Sequence, residues 1–120
     1  MTTFLVHVTC GPDDPTRAAL AFLVARTAAD EGHAVSLFLA GDGVTLLRDE
    51  NLKSVVGLGT GRLEEHFHAL AAKGVRFHLS GMSAKARGMS DQDLADKPAE
   101  FGMPSVLVRL AAEADRVITY

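Results

Sequence analysis

The sequence predicts an α/β fold: a three-layer sandwich whose mainly parallel sheet of four to five strands is covered by helices on both faces. Two observations carry this expectation. Short runs rich in β-favouring residues alternate along the chain with segments of helical periodicity, the order that crossover-connected parallel strands produce. The first three runs, "FLVHV", "AVSLFLA" and "VRFHL", are mostly apolar instead of strictly alternating, as strands buried on both faces read. No repeat, linker or low-complexity tract divides the 120 residues. One domain spanning residues 1–120 is therefore expected, long enough to bury a core.

The elements follow in order. Phe4 to Val8 is a buried strand, and "CGPDDP" breaks the chain after it. Asp13 or Asp14 can cap the next helix, with Pro15 preorganising its first turn. Leu20, Leu23, Val24, Thr27 and Ala28 recur at helical spacing, with Ala18, Phe22 and Ala25 adding apolar surface on a second side, until Gly32 ends the helix. That pattern is read first as a helix deeply packed on a sheet, with an oligomer interface as the alternative. Ala34 to Ala40 is the second strand, and "GDGVTLLRDE" gives a turn and a short helix. Asn51 to Gly61 is Gly-rich and irregular. Arg62 to Lys73 is the cleanest helix: Leu63, His66, Phe67, Leu70 and Ala71 form one stripe, Lys73 suits the negative end of the dipole and Gly74 is a natural stop. "VRFHL" is the third strand. Ser90 with Asp93 three residues on resembles a capping box before a Pro/Gly-punctuated region. Ser105 to Ala114 is the last helix and "RVITY" the last strand.

Composition excludes several function classes. The content is 48% hydrophobic and 22% charged, ordinary for a soluble globular protein. A net charge of −3 with no basic run argues against nucleic-acid binding, which needs cations to neutralise phosphates. No window approaches the roughly 18 continuous apolar residues of a membrane span. "MTTFLVHVTCGPDD" lacks the basic region of a signal peptide. The single cysteine forms no internal disulfide and suits a reducing compartment. A cytoplasmic protein is expected.

Each of the first three strands ends in glycine: Thr9-Cys10-Gly11, Leu39-Ala40-Gly41 and Leu79-Ser80-Gly81. Open parallel sheets bind ligands beyond the carboxyl ends of their strands. Those loops therefore place Cys10, Gly11, Asp14, Gly41, Asp42, Ser80, Gly81, Met82, Ser83, Lys85 and Arg87 on one edge as the candidate site. Turns alone also explain the glycines.

Four segments occur here in matching order: "VTCGPDDPTRA", "LFLAGDGVTLL", "GVRFHLSGMSAKARGMS" and the terminal "EADRVITY". With them the chain resembles the DsrE/DsrF-like family of small sulfur-relay proteins over nearly its whole length. The resemblance implies a flavodoxin-like domain that assembles into trimers or hexamers. It further implies a persulfide-bearing cysteine in the loop after the third strand, within a Cys-Gly-x-Cys type segment leading into a Lys-Ala-Arg-Gly-like helix. That segment falls on Ser80-Gly81-Met82-Ser83, followed by Lys85, Arg87 and Gly88. Both cysteine positions are serine. A hydroxyl cannot carry a persulfide and needs an adjacent base to act as a nucleophile.

Three functions follow from these residues. The first is an accessory subunit that binds a small anion or a sulfur-containing small molecule at Ser80, Ser83, Lys85 and Arg87, without persulfide chemistry. The second is a persulfide carrier using Cys10, on the expectation that the first strand lies beside the third. The third is a purely structural subunit of an oligomer. A non-enzymatic role is favoured; activity, if present, is sulfur transfer through Cys10. A homo-oligomer, with a sulfur-relay protein as a further partner, is expected. A Ser-His-Asp arrangement through His78 lacks the nucleophile elbow. His66 and His68 are two apart on a helix and cannot share a metal. "GLGTG" is neither a dinucleotide fingerprint nor a P-loop, so no cofactor or metal is expected. The methionines 82, 89 and 103 either wall a cleft or pack the loop down.

Overall fold

A computed structural model describes all 120 residues. Strand β1 (Thr3–Val8), helix α1 (Pro15–Asp30) and strand β2 (Ala34–Leu39) come first. A 3-10 helix (Gly41–Leu47) leads into α2 (Asp49–Ser54), and the short antiparallel pair β3 (Val56–Gly57) and β4 (Gly61–Arg62) follows. Next come α3 (Leu63–Ala72), β5 (Arg76–Ser80), α4 (Gly81–Ala86), a 3-10 turn (Asp91–Leu94), β6 (Ala99–Gly102), α5 (Pro104–Glu113) and β7 (Arg116–Thr119). The five-stranded sheet runs β6-β5-β2-β1-β7, and every pairing in it is parallel.

The order corrects one expectation. The first strand does not lie beside the third; β2 separates β1 from β5. The crossovers from β1 to β2 to β5 to β6 all step the same way along the sheet, and the one after β6 returns across it to set β7 against β1. Cys10 and the Ser80–Ser83 loop therefore leave the sheet from strands that are not neighbours.

One face of the sheet holds the core. Val6, Val8, Leu37, Leu39, Phe77 and Leu79 are fully buried there beneath α1 and α3. Phe22 of α1 stacks on Phe77 at 5.8 Å between ring centroids, and Phe67 of α3 meets the same ring at 5.0 Å. The other face is covered thinly. Its in-register row His7–Phe38–His78–Glu100 has α5 above it, and no residue of α5 is buried.

Of the two apolar sides of helix α1, the second is the one packed on the sheet. Its buried residues are Ala18, Ala19, Ala21, Phe22 and Ala25, whereas Leu20, Leu23, Val24 and Ala28 are half-buried and Thr27 is exposed. Small side chains let the helix axis approach the sheet closely, so the larger ones of the stripe face outward. The Asn51–Gly61 stretch is not irregular either. It completes α2 and then forms the β3–β4 hairpin, which clasps α1: the Leu58 N–H donates to Thr16 Oγ1 at 3.0 Å and Thr60 Oγ1 donates to Thr16 O at 3.0 Å. His66, buried as the stripe predicts, donates from Nε2 to Thr60 O at 2.8 Å and so fixes the hairpin's base. Strand β6 was hidden inside the Pro/Gly-punctuated region.

Candidate functional site at the strand ends

The loops after β1, β2 and β5 meet at the carboxyl edge, as the glycine pattern predicts, and the reason differs at each glycine. A Cβ on Gly11 would lie 2.9 Å from both Cβ and O of Asp42. The first two loops are thus in contact and only hydrogen fits between them. Gly41 has φ +55°, in the left-handed region where a side chain is strained. Gly81 opens α4 with ordinary backbone and room for a side chain.

Around these turns the predicted polar residues engage one another. Ser80 caps α4, its Oγ accepting from the Ser83 N–H at 3.2 Å. Ser83 Oγ accepts from the Gly41 N–H at 2.9 Å and so ties the β5 loop to the β2 loop. Arg87 donates from Nε and Nη2 to Asp42 Oδ1 at 3.1 and 2.9 Å, and from Nη1 to Ser83 O at 3.2 Å. Arg48, which sequence reasoning missed, donates to the Arg87 carbonyl at 3.0 Å and lies 3.7 Å from Asp93. The four residues Gly41, Asp42, Ser83 and Arg87 therefore form a latch between two loops. None of the molecule's four cavities is lined by Ser80 or Ser83. His78, two residues before Ser80, turns to Glu100, with Nδ1 3.4 Å from Oε1. It orients no serine.

Lys85 and Met82 are exposed beside this latch. Ser80 pairs in register with Gly102, so Met82 and Met103 extend from adjacent strand ends, 64% and 62% exposed. Met89 is buried and packs the loop down. Of the two roles considered for the methionines, Met89 takes the second, whereas Met82 and Met103 line none of the four cavities.

Cys10 sits apart from the latch. It is half-buried at the end of β1. Burial first, and then the Asp14 carboxylate, push its thiol above the ordinary value, against a smaller opposing pull from its own backbone N–H and from Arg17. Asp14 caps α1, accepting from the Arg17 N–H at 3.3 Å. Beyond the carboxyl ends of β1 and β7 a cleft of about 700 Å³ opens, lined by Asp14, Thr16, Arg17, Leu20, Thr119 and Tyr120. Here the strand order changes direction, the place where open parallel sheets receive ligands. Of its lining only Asp14 belongs to the predicted site. Arg17, Thr119 and Tyr120 were not legible as site residues, because their meeting depends on β7 returning to pair with β1.

The model of the DsrE/DsrF-like family matches residues 3–120. Among solved structures, the ychN protein from E. coli superposes with a TM-score of 0.83 at 22% identity over 100% of both chains. The protein of unknown function MTH1491 from Methanobacterium thermoautotrophicum gives 0.74 at 22% identity, again over 100% of both. BT1422 from Bacteroides thetaiotaomicron, a conserved protein of unknown function, gives 0.66 at 10% identity, over 97% of this chain and 94% of that one. No curated protein matches the chain in sequence.

Proposed function

The chain belongs to the DsrE/DsrF-like family, and from that premise we propose that it is a cytoplasmic, homo-oligomeric accessory subunit of the sulfur-relay type that binds a small ligand without carrying a persulfide. The latch carries this reading: Ser83 holds Gly41 and Arg87 holds Asp42, so the edge where the family pattern puts cysteines is built as structure. Cys10 does not replace them readily. A persulfide forms on a thiolate, and burial together with Asp14 pushes the pKa of this thiol up, which disfavours that form.

The ligand site is assigned to the cleft beyond β1 and β7. Arg17, whose Nε lies 3.5 Å from Asp14 in the same cleft, turns its remaining guanidinium N–H groups to a small anion or a sulfur-containing small molecule, and Leu20 and Tyr120 supply apolar walls. Clefts of this size at a switch in strand order are suited to small molecules. The exposed Met82 and Met103, flanked by Lys85, give the same edge an adaptable apolar surface for a relay-protein partner.

Titration with sulfate and thiosulfate, followed by amide chemical shifts, tests the reading. Saturable shifts at Asp14–Leu20 that weaken in Arg17→Ala and survive in Arg87→Ala are expected. Binding lost in Arg87→Ala but retained in Arg17→Ala would return the ligand to the β5 loop. No saturable shift at millimolar concentration of either anion would favour the purely structural subunit.

A further inference from the structure

Helix α1 displays a knob and a hole on one outward face. Thr16, Leu20, Leu23 and Thr27 recur at i, i+4, i+7 and i+11, a single stripe about 16 Å long at 1.5 Å per residue. At its N-terminal end stands Leu58, the most exposed apolar side chain after Met1, with 90% of its surface in solvent. Its exposure is imposed by the fold. The Leu58 N–H is held by Thr16 Oγ1, and the turn's next residue but one is held by Thr16 O and by His66. At the C-terminal end of the stripe is an apolar hole of about 350 Å³, lined by Phe4, Leu23, Val24, Thr27 and Ala28, with Glu31 and His33 at its rim.

We propose that this face joins two copies of the chain about a two-fold axis, α1 against α1 in antiparallel orientation, with Leu58 of each copy seated in the hole of the other. The proposal rests on the homo-oligomer reading above and names its contact. An isologous interface must be self-complementary. The stripe meets that condition, because reversing it brings knob to hole at both ends and sets Leu20 and Leu23 at the centre, so that the partner's α1 closes the cleft on its Leu20 side and leaves Arg17, Thr119 and Tyr120 to the ligand.

Charge follows the same symmetry. Glu31 ends α1, where the helix dipole disfavours a carboxylate; it is 67% exposed and meets only His33, at 4.0 Å. The adjacent Asp30 is already answered by Lys73 at 3.5 Å and Arg26 at 3.9 Å. Arg62, on the strand that follows the Leu58 turn, is exposed and has no ion pair within the chain. Antiparallel docking brings the cation beside Leu58 to the carboxylate beside the hole.

Static light scattering at fixed protein concentration tests the contact. Leu58→Asp is chosen because a side chain so exposed leaves the fold intact, which an unchanged far-ultraviolet circular-dichroism spectrum at about 20 °C verifies; the melt itself should fall as association is lost. The expected result is half the wild-type mass. Arg62→Glu and Glu31→Arg should each weaken association, and the double charge exchange should restore it. A Leu58→Asp protein that keeps the mass of an oligomeric wild type would overturn this interface and leave the homo-oligomer reading standing. A double exchange no better than the single variants would overturn the antiparallel register. A monomeric wild type at high micromolar concentration would overturn both readings.

Discussion

Removing the Ser83 hydroxyl isolates the latch. Ser83→Ala deletes the acceptor that lies 2.9 Å from the Gly41 N–H and leaves that donor without a protein partner. An orphaned buried donor costs about 1–3 kcal/mol. Gly41 is only half-buried, so water can reach it and the lower half of that range applies, about 1–2 kcal/mol. Ser83 lies within α4, where alanine is the better helix former by about 0.5 kcal/mol. The net loss is about 1 kcal/mol, which for a chain of this size lowers the melting temperature by about 3–6 °C. Scanning calorimetry reads the shift, and amide exchange localises it: Gly41 should exchange about fivefold faster, the factor equivalent to 1 kcal/mol. Because the hydroxyl is structural, Ser83→Ala should leave anion affinity in the Arg17 cleft unchanged. A melting temperature within 1 °C of wild type, with Gly41 protection intact, would refute the latch.

Other consequences follow from burial and spacing. Burial lowers the His7 and His78 pKa values below the usual 6.5, and for His78 Glu100 only partly offsets it while Arg76 and Arg109 reinforce it. The unfolded chain therefore binds these protons first, so stability is full above pH 6.5 and falls as pH drops below it. A melting curve flat from pH 7 to 5, or a slope unchanged in His7→Gln, would contradict this. Iodoacetamide should modify Cys10 more slowly than a free thiol at pH 7, and Asp14→Asn, which preserves the helix cap, should speed the reaction; equal rates in the two proteins, followed by mass, would exclude the Asp14 effect. A Cβ at Gly43 would meet Cys10 O at 3.2 Å and the Val8 carbonyl carbon at 3.1 Å. Gly43→Ala should thus cost at least about 2 kcal/mol in urea unfolding, on the scale of overpacking; a cost under about 0.5 kcal/mol would show that the loops yield freely.

Layered architecture and the edge that gathers the loops were legible because they follow from local pattern. Apolar runs, helical spacing and Gly-terminated strands are properties of neighbours in sequence. Strand order was not, since β1 pairs with β7 across more than a hundred residues and nothing within either strand names its partner. The site inherits that division. Ser80, Ser83, Arg87 and Asp42 could be placed on one edge, but the hydrogen bonds that tie Ser83 to Gly41 and Arg87 to Asp42 depend on three-dimensional angles between loops. Arg17, Thr119 and Tyr120 form a cleft only once β7 has returned. Which side of helix α1 faces the sheet was open for a related reason. Its leucines and its alanines are both helically periodic, and which stripe faces the sheet was decided by close approach, favouring the small residues.

We propose that the strand-end edge keeps the DsrE/DsrF-like fold without carrying sulfur on a thiol. Intact-mass spectrometry of the protein after incubation with a persulfide donor, with and without Cys10→Ala, tests it most directly. The predicted spectrum shows no stable sulfur adduct on either protein. A stable adduct on the wild type that disappears in Cys10→Ala would make Cys10 the carrier and overturn the proposal.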